Sequence, residues 1–495
     1  MNKTTKFLDL FGLISIGIFS LGYIWLNVPL AELHIQLSFL DFPIFIGEIL
    51  LFICLVIFIF RCGITPLKLN RWYYVLIPYL IFVITKALIG YTQYGPLAFR
   101  DAALFYYPLF ILLGYCFYQR DYFSSPWIFL IFLPIVLILF SMESTFTVHW
   151  ALSCSILGFA LLVTYPNKLW RYALLAVLVA VTPYKLFFHT SRMMLVSNII
   201  TGIYLIIVFY IIIPFNRKIK LMFVILGILF FGAGTFMLSY TARAKSIISL
   251  RELIILYNEY DKVIQQKMDH YKLMKVNKIR LFNEESKEND LYAYFKMEEF
   301  RKKELPDSHT EISDAGMPKD FKGYSTPIEI IQVGEKVVKQ YGIPIGYYHN
   351  ALFRLFIWRD MINELKKGKP IFGFSFGKPL RSISLEILNW GTVEWERDGW
   401  IAPHNSYLHI IYRSGLVGIL FILTILIMLF RMIIIFIQAK SVIGVLLCGI
   451  IINWFVAANF LLIFELPYTA IPIWSLYGIT LAYCYKPPLD KKKDS

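Results

Sequence analysis

The sequence predicts an all-α polytopic membrane protein of about twelve transmembrane helices, with one large, mainly helical extracytoplasmic loop between the ninth and tenth. Three observations carry that prediction. Hydrophobic residues make up 58% of the 495 residues and charged residues only 16%, whereas soluble domains carry about 25% charged residues. Mean hydropathy is +0.63. Apolar runs recur at the ~20-residue length needed to cross a bilayer core. This composition excludes a disordered chain, a secreted disulfide scaffold and an ordinary cytosolic enzyme.

The runs fall at roughly 7–26, 42–60, 72–90, 102–118, 126–142, 149–165, 172–188, 193–213, 221–239, 404–430, 441–463 and 466–485. Lysines and arginines orient them. With the N-terminus in the cytoplasm, the inner loops and tails hold 17 Lys plus Arg and the short outer loops hold 4. Positive charge collects on the cytoplasmic side of membrane proteins, so this split predicts both termini cytoplasmic. Lys3 and Lys6 precede the first run, but no convincing small-residue cleavage site follows, so that run is expected to be a retained helix. The net charge of +15 could suggest a nucleic-acid partner, but the excess sits in short loops on one side of the membrane, and no such partner is expected.

Residues 1–240 are therefore expected to form nine spans, 241–403 an outer domain, 404–485 three more spans, and 486–495 a basic cytoplasmic tail. The outer domain holds 26 Lys plus Arg and 23 Asp plus Glu, so it is nearly neutral. Lys245 to Leu305 reads helical. Prolines and glycines from Pro306 to Pro327 break the pattern, and a second helical stretch covers Ala351 to Lys367. The six cysteines all lie outside this block, so it is not a disulfide framework. No metal-ligand spacing, P-loop or dinucleotide fingerprint occurs. Neither a metal nor another cofactor is expected.

The informative segment is Ala402-Pro403-His404-Asn405-Ser406-Tyr407-Leu408, which leads through Arg413-Ser414-Gly415-Leu416-Val417-Gly418 into the tenth run. Pro403 suits the first turn of a helix. Residues 404, 408, 411, 415 and 418 then share one face, thinned by Gly415 and Gly418 so that another helix can approach. A helix N-terminus favours anions and disfavours a protonated imidazole. A neutral His404 beside an anion can serve as general base at pH 7, and an interfacial histidine capping a helix is the plainer alternative. Arg413 falls inside the run, where it is costly unless paired or in a wet cavity. His189, His349 and His409 read as satisfied or interfacial groups.

His404-Asn405, nine residues, Gly415, two residues and Gly418 resembles the signature of the O-antigen ligase and O-antigen polymerase superfamily. The order around it is also similar: a large outer loop carrying Arg354 and Trp358, then Pro370 and Gly373-Phe374-Ser375-Phe376-Gly377. The resemblance is specific from about Ala351 to Gly418. It implies an integral-membrane glycosyltransferase of polysaccharide biosynthesis in the bacterial cytoplasmic membrane, whose donor is a glycan on undecaprenyl diphosphate and whose acceptor is a glycan, lipid or protein. It implies His404 as base, with Arg192 and Arg354 holding the diphosphate; these arginines otherwise read as a headgroup anchor and a solvated helix charge. Guanidinium forks suit phosphate oxygens. Arg100 is a third such candidate, although its neighbour Asp101 could simply neutralise it. Asn405 would position His404 or bind a sugar. Glu465 would orient a basic group or an acceptor hydroxyl, or is a plain interfacial carboxylate.

The expected reaction is one inverting, metal-independent displacement. Ligase and polymerase share the donor chemistry and differ in acceptor, and the His-Asn-and-glycine pattern leans to the ligase. A lipid-linked-glycan flippase or other transporter would also explain twelve spans. It should line a central path with polar residues, whereas the spans here read as nearly free of charge.

Overall fold

The computed structural model of the chain describes residues 3–26, 28–36, 43–64, 73–118, 153, 192–212, 250–282, 336, 339–341, 348–388 and 403–485. The runs predicted at 126–142, 172–188 and 221–239, all but one residue of that at 149–165, the breakers from Pro306 to Pro327, His189 and the tail 486–495 lie outside the described residues. What is described is mostly helical. It divides into two compact units, Met1–Lys245 with Leu365–Lys378 and His404–Ser495, and Ser246–Glu364 with Pro379–Pro403. The second unit leaves out Leu365–Lys378, which lies inside the predicted outer block. Leu365–Lys378 is polar in sequence yet packs with the apolar helices, because three buried or half-buried side chains of the first unit hold its backbone (below).

The first unit opens with α1 (Lys3–Leu26) and the short α2 (Val28–Glu32). Strands β1 (His34–Ile35) and β2 (Ile44–Phe45) pair antiparallel, with His34 opposite Phe45. There follow α3 (Ile46–Ile64), α4 (Tyr73–Tyr94), α5 (Leu97–Tyr106), α6 (Leu109–Phe117) and α7 (Arg192–Ile212). Pro108 separates α5 from α6 with a bend of 40°, since proline offers no N–H and crowds the preceding turn. The second unit contains α8 (Leu250–Phe282), most of α9 (His349–Lys367) and α10 (Ile383–Ile387). The first unit resumes with α11 (Ser406–Ser414), α12 (Leu416–Gln438), α13 (Val442–Ala457) and α14 (Pro467–Tyr485).

Among the described residues, two helices are long and apolar enough to cross a membrane, Lys3–Ile24 and Leu416–Gln438, or three if the bent pair α5–α6 is one span. That falls short of twelve. Val196–Ile212 and Val442–Ala457 are apolar but shorter. The run predicted at 404–430 is not continuous: Gly415 takes φ +59 and divides it into α11 and α12.

The core of the first unit is built on close helix approach. A Cβ on Gly114 of α6 would fall 2.6 Å from the Ser475 carbonyl oxygen of α14, and a Cβ on Gly478 would meet the Ile111 backbone in return. Small residues let helix backbones touch where burial of apolar surface cannot drive association. Trp474 is buried against Phe464, with ring centroids 4.7 Å apart, and packs on Phe455 and Tyr477. The expectation of nearly charge-free spans needs amendment. Buried Asp9 of α1 pairs with Arg61 of α3 at 3.0 Å, and Glu48 of α3 accepts from Tyr106 and Tyr107. Apolar surroundings tolerate such groups when a fixed partner satisfies them.

In the second unit, Arg359 of α9 donates to Asp261 and Tyr257 of α8 and to Ser384 of α10. Asp360 accepts from Ser382 Oγ at 2.7 Å and from the Ser384 backbone N–H at 2.8 Å, anchoring α10. Desolvation works against the Arg359 guanidinium, but its hydrogen bond to Asp261 and the charge of Asp360 more than offset it, raising its pKa. Burial alone raises the Glu386 carboxyl.

Candidate active site

The segment 403–418 folds differently from the continuous helix expected. Pro403 is not in a first turn. His404 takes φ +53, and Asn405 is the N-cap, its Oδ1 accepting from the Leu408 N–H at 2.9 Å. The reason is local: an asparagine carboxamide oxygen accepts from a free helix-start N–H, and proline has no side-chain acceptor for it. A left-handed backbone at a non-glycine residue is uncommon and has to be held by its surroundings. In the first unit the Asn405 cap follows it directly. Within the second unit, Trp358 Nε1 donates to the Pro403 carbonyl at 2.8 Å. His404 itself is half-buried and engaged.

The start of α11 is stitched to the turn between α13 and α14. The Ser406 N–H donates to the Ala458 carbonyl at 2.9 Å. Ser406 Oγ donates to Glu465 Oε2 at 2.7 Å and accepts from the Phe464 N–H at 3.2 Å. Glu465 Oε1 meets His409 Nδ1 at 2.9 Å. The opposite ring nitrogen, Nε2, lies 3.3 Å from Asp101 Oδ1, and Arg413 Nε lies 2.9 Å from Asp101 Oδ2. The Gly377 N–H donates to Asp101 at 2.6 Å, and Arg413 Nη1 donates to the Ser375 carbonyl at 3.0 Å. All four charged side chains are 8% exposed or less. Nδ1 faces a Glu465 oxygen, while Nε2 lies 3.3 Å from Asp101 Oδ1 and 3.3 Å from the Arg413 Nε donor. His409 is thus bracketed by two carboxylates and one guanidinium.

The loop 369–378 is held by its backbone. Lys86 of α4 places its ammonium 2.7 Å from the Phe372 carbonyl, 2.7 Å from Phe374 and 2.6 Å from Arg413, with Gly373 at 3.4 Å. Gly373 and Gly377 take φ +65 and +81, conformations that suit glycine. Gly415 explains its own identity in the same way: besides φ +59, its Cβ would meet the Pro370 and Ile371 backbone. So an irregular loop approaches Gly415, not the helix expected there. A Cβ on Gly418 would lie 2.9 Å from Ile410 and also strike Ser414 Oγ.

The structure therefore gathers Asn405, Gly415, Gly418 and Glu465 about α11, beside His404. Arg100 is exposed on α5, and Asp101 does not neutralise it, because Asp101 turns inward to Arg413 and His409. Arg192 opens α7. Arg354 lies half-buried on α9 in the second unit, where burial lowers its pKa from the usual guanidinium value. Asp101 and the bridging role of His409 were missed in sequence. Two signals were available: the i, i+4 spacing of His409 and Arg413 on one helix face, and Arg413's need for a partner. Among the described residues, no group of three or more His, Cys, Asp or Glu is placed to hold a metal ion. No family model matches the chain, and no curated protein matches it.

Proposed function

We propose that this protein is an O-antigen ligase-like glycosyltransferase of the bacterial cytoplasmic membrane. It moves a glycan from undecaprenyl diphosphate to an acceptor hydroxyl on the outer face. One observation carries the reading beyond the motif. Asp101 ties α5, which presents Arg100, to α11, which follows His404, through a buried ion group. A base and a phosphate-binding cation have to be held in fixed relation for transfer, because catalysis of this kind rests on positioning and on stabilising the charge that develops.

In the proposed reaction the acceptor oxygen attacks the anomeric carbon from the face opposite the diphosphate. The bond from that carbon to the diphosphate oxygen breaks, its electron pair leaves with the diphosphate, and the configuration inverts. His404 takes the acceptor's proton. Arg100, Arg192 and Arg354 receive the growing negative charge. Asn405 caps α11 directly after His404, and Glu465 acts through Ser406 and His409.

The test is transfer by purified full-length protein with an undecaprenyl-diphosphate glycan and candidate acceptors, with and without chelator. His404→Ala abolishes transfer while protein stays in the membrane; normal transfer by that variant sinks the base assignment. Arg192→Lys keeps the charge but loses the fork, and an unchanged rate assigns Arg192 to membrane anchoring. Product analysis separates ligase from polymerase: glycan on a new lipid or protein, or longer chains still on the carrier.

A further inference from the structure

The tip of the loop that packs on Gly415 carries a pattern the proposed reaction does not use. Ile371 and Phe372 are 56% and 61% exposed, and exposed Lys366, Lys367 and Lys369 precede them. Two neighbouring apolar side chains left in water at a loop tip are costly, at about 25 cal/mol per Å² of apolar surface. Their position says what covers them. The Leu416 N–H, the first of α12, donates to the Pro370 carbonyl at 3.0 Å. From that point α12 exposes Leu416, Ile419, Leu420 and Leu423 along the more apolar of the two described helices long enough to cross a membrane. On the other side Lys86 fastens the Phe372 carbonyl to α4, whose Ile81, Ile84 and Leu88 are also exposed. The tip is lashed between two outward-facing apolar helix surfaces, level with the end of a membrane-crossing helix.

We infer that the Lys366–Phe372 tip is an interfacial membrane anchor, in which Ile371 and Phe372 enter the acyl–headgroup boundary and Lys366, Lys367 and Lys369 take the phosphates of anionic lipids. The chemistry matches on both counts. Aromatic and aliphatic side chains are favourable at that boundary, and lysine stems lie along apolar surface while their ammonium groups reach headgroups. Charge complementarity selects anionic lipid over zwitterionic lipid. The backbone supplies rigidity: with Phe372, Gly373, Phe374 and Ser375 carbonyls held by Lys86 and Arg413, the tip is presented in one conformation. The inference stands on the membrane-spanning character of α12 and not on the proposed reaction.

The experiment uses full-length protein in lipid nanodiscs of phosphatidylcholine with phosphatidylglycerol. A photo-crosslinking phenylalanine analogue, p-benzoylphenylalanine, replaces Phe372. Separate samples carry it at Phe430, 63% exposed on α12, and at Phe374, 8% exposed. Mass spectrometry of the peptides is expected to show lipid adducts at 372 and 430 and none at 374. Adducts from 372 to a second copy of the chain or to its own peptides, or no adduct while 430 labels, overturn the anchor. The second arm replaces Lys366, Lys367 and Lys369 together by Gln and measures phosphatidylglycerol retained relative to phosphatidylcholine. Each lysine near an anionic surface is worth about fivefold in binding at low salt. The triple variant is therefore expected to lose at least that factor, with the loss shrinking at high salt; retention equal to the parent overturns the headgroup assignment.

Discussion

Two arginine–aspartate networks in this protein use the same chemistry in different surroundings. In the second unit Arg359 and Asp261 are 23% and 30% exposed. In the first, Arg413 and Asp101 are 2% and 3% exposed, with His409 and Glu465 completing the group. Water and salt screen the first pair and dissolve most of its attraction. The second group has no such relief. Its charges are stable only as a set, since each has traded hydration for its partners. The difference teaches that the buried group specifies geometry: it joins α5, the loop 369–378, α11 and the turn before α14 at one point, whereas the half-buried pair links α8, α9 and α10 through a contact that water still reaches.

That contrast can be broken most directly at Asp101. Asp101→Ala strands Arg413 and His409 in an apolar interior and is expected to cost about 3–5 kcal/mol, read as a large drop in unfolding temperature in detergent. A double variant that replaces Asp101 and Arg413 by leucine and methionine should recover most of that loss in the same assay. If it stays as unstable as Asp101→Ala, the stranded-charge argument fails. Gly415→Ala comes next. The left-handed backbone and the contact with Pro370 and Ile371 predict a loss of about 1–3 kcal/mol, and a neutral result would show that the loop can retreat. Asn405→Ala removes the cap of α11 for about 1 kcal/mol, while Asn405→Ser should restore most of it. Asp261→Asn in the second unit should change stability by less than about 1 kcal/mol, and that small effect should shrink further in high salt. An Asp261→Asn effect as large as that of Asp101→Ala would erase the distinction drawn between the two networks.

Helical architecture was legible in the sequence because apolar runs report it directly. The helix ending at Lys367 matches its expected position within a few residues, whereas the run expected at 404–430 is divided at Gly415 and its apolar helix runs on to Gln438. Gly415 and Gly418 stand out by their helical spacing and Asn405 through the resemblance, although the reason for Gly415 was not legible. Hydropathy reads Gly415 as one more residue of an apolar run, while its φ of +59 ends one helix and begins another. The partner of Arg413 was out of reach for a different reason. Asp101 lies on a distant helix, and ion pairs across long separations leave no periodic trace; the Gly377 N–H that completes Asp101 is 276 residues away. Leu365–Lys378 misled because composition describes side chains, whereas this loop is recognised by its carbonyls.

Lys86 does with a side chain what an alkali ion does in many carbonyl-lined cages. Its ammonium is ringed by oxygens from Phe372, Gly373, Phe374 and Arg413, but it is covalently tethered and so has no dissociation constant. The loop beside the candidate site thereby keeps its shape whatever the potassium or sodium content around it. Arginine would be a poor replacement, because a flat fork does not match oxygens arranged around a point.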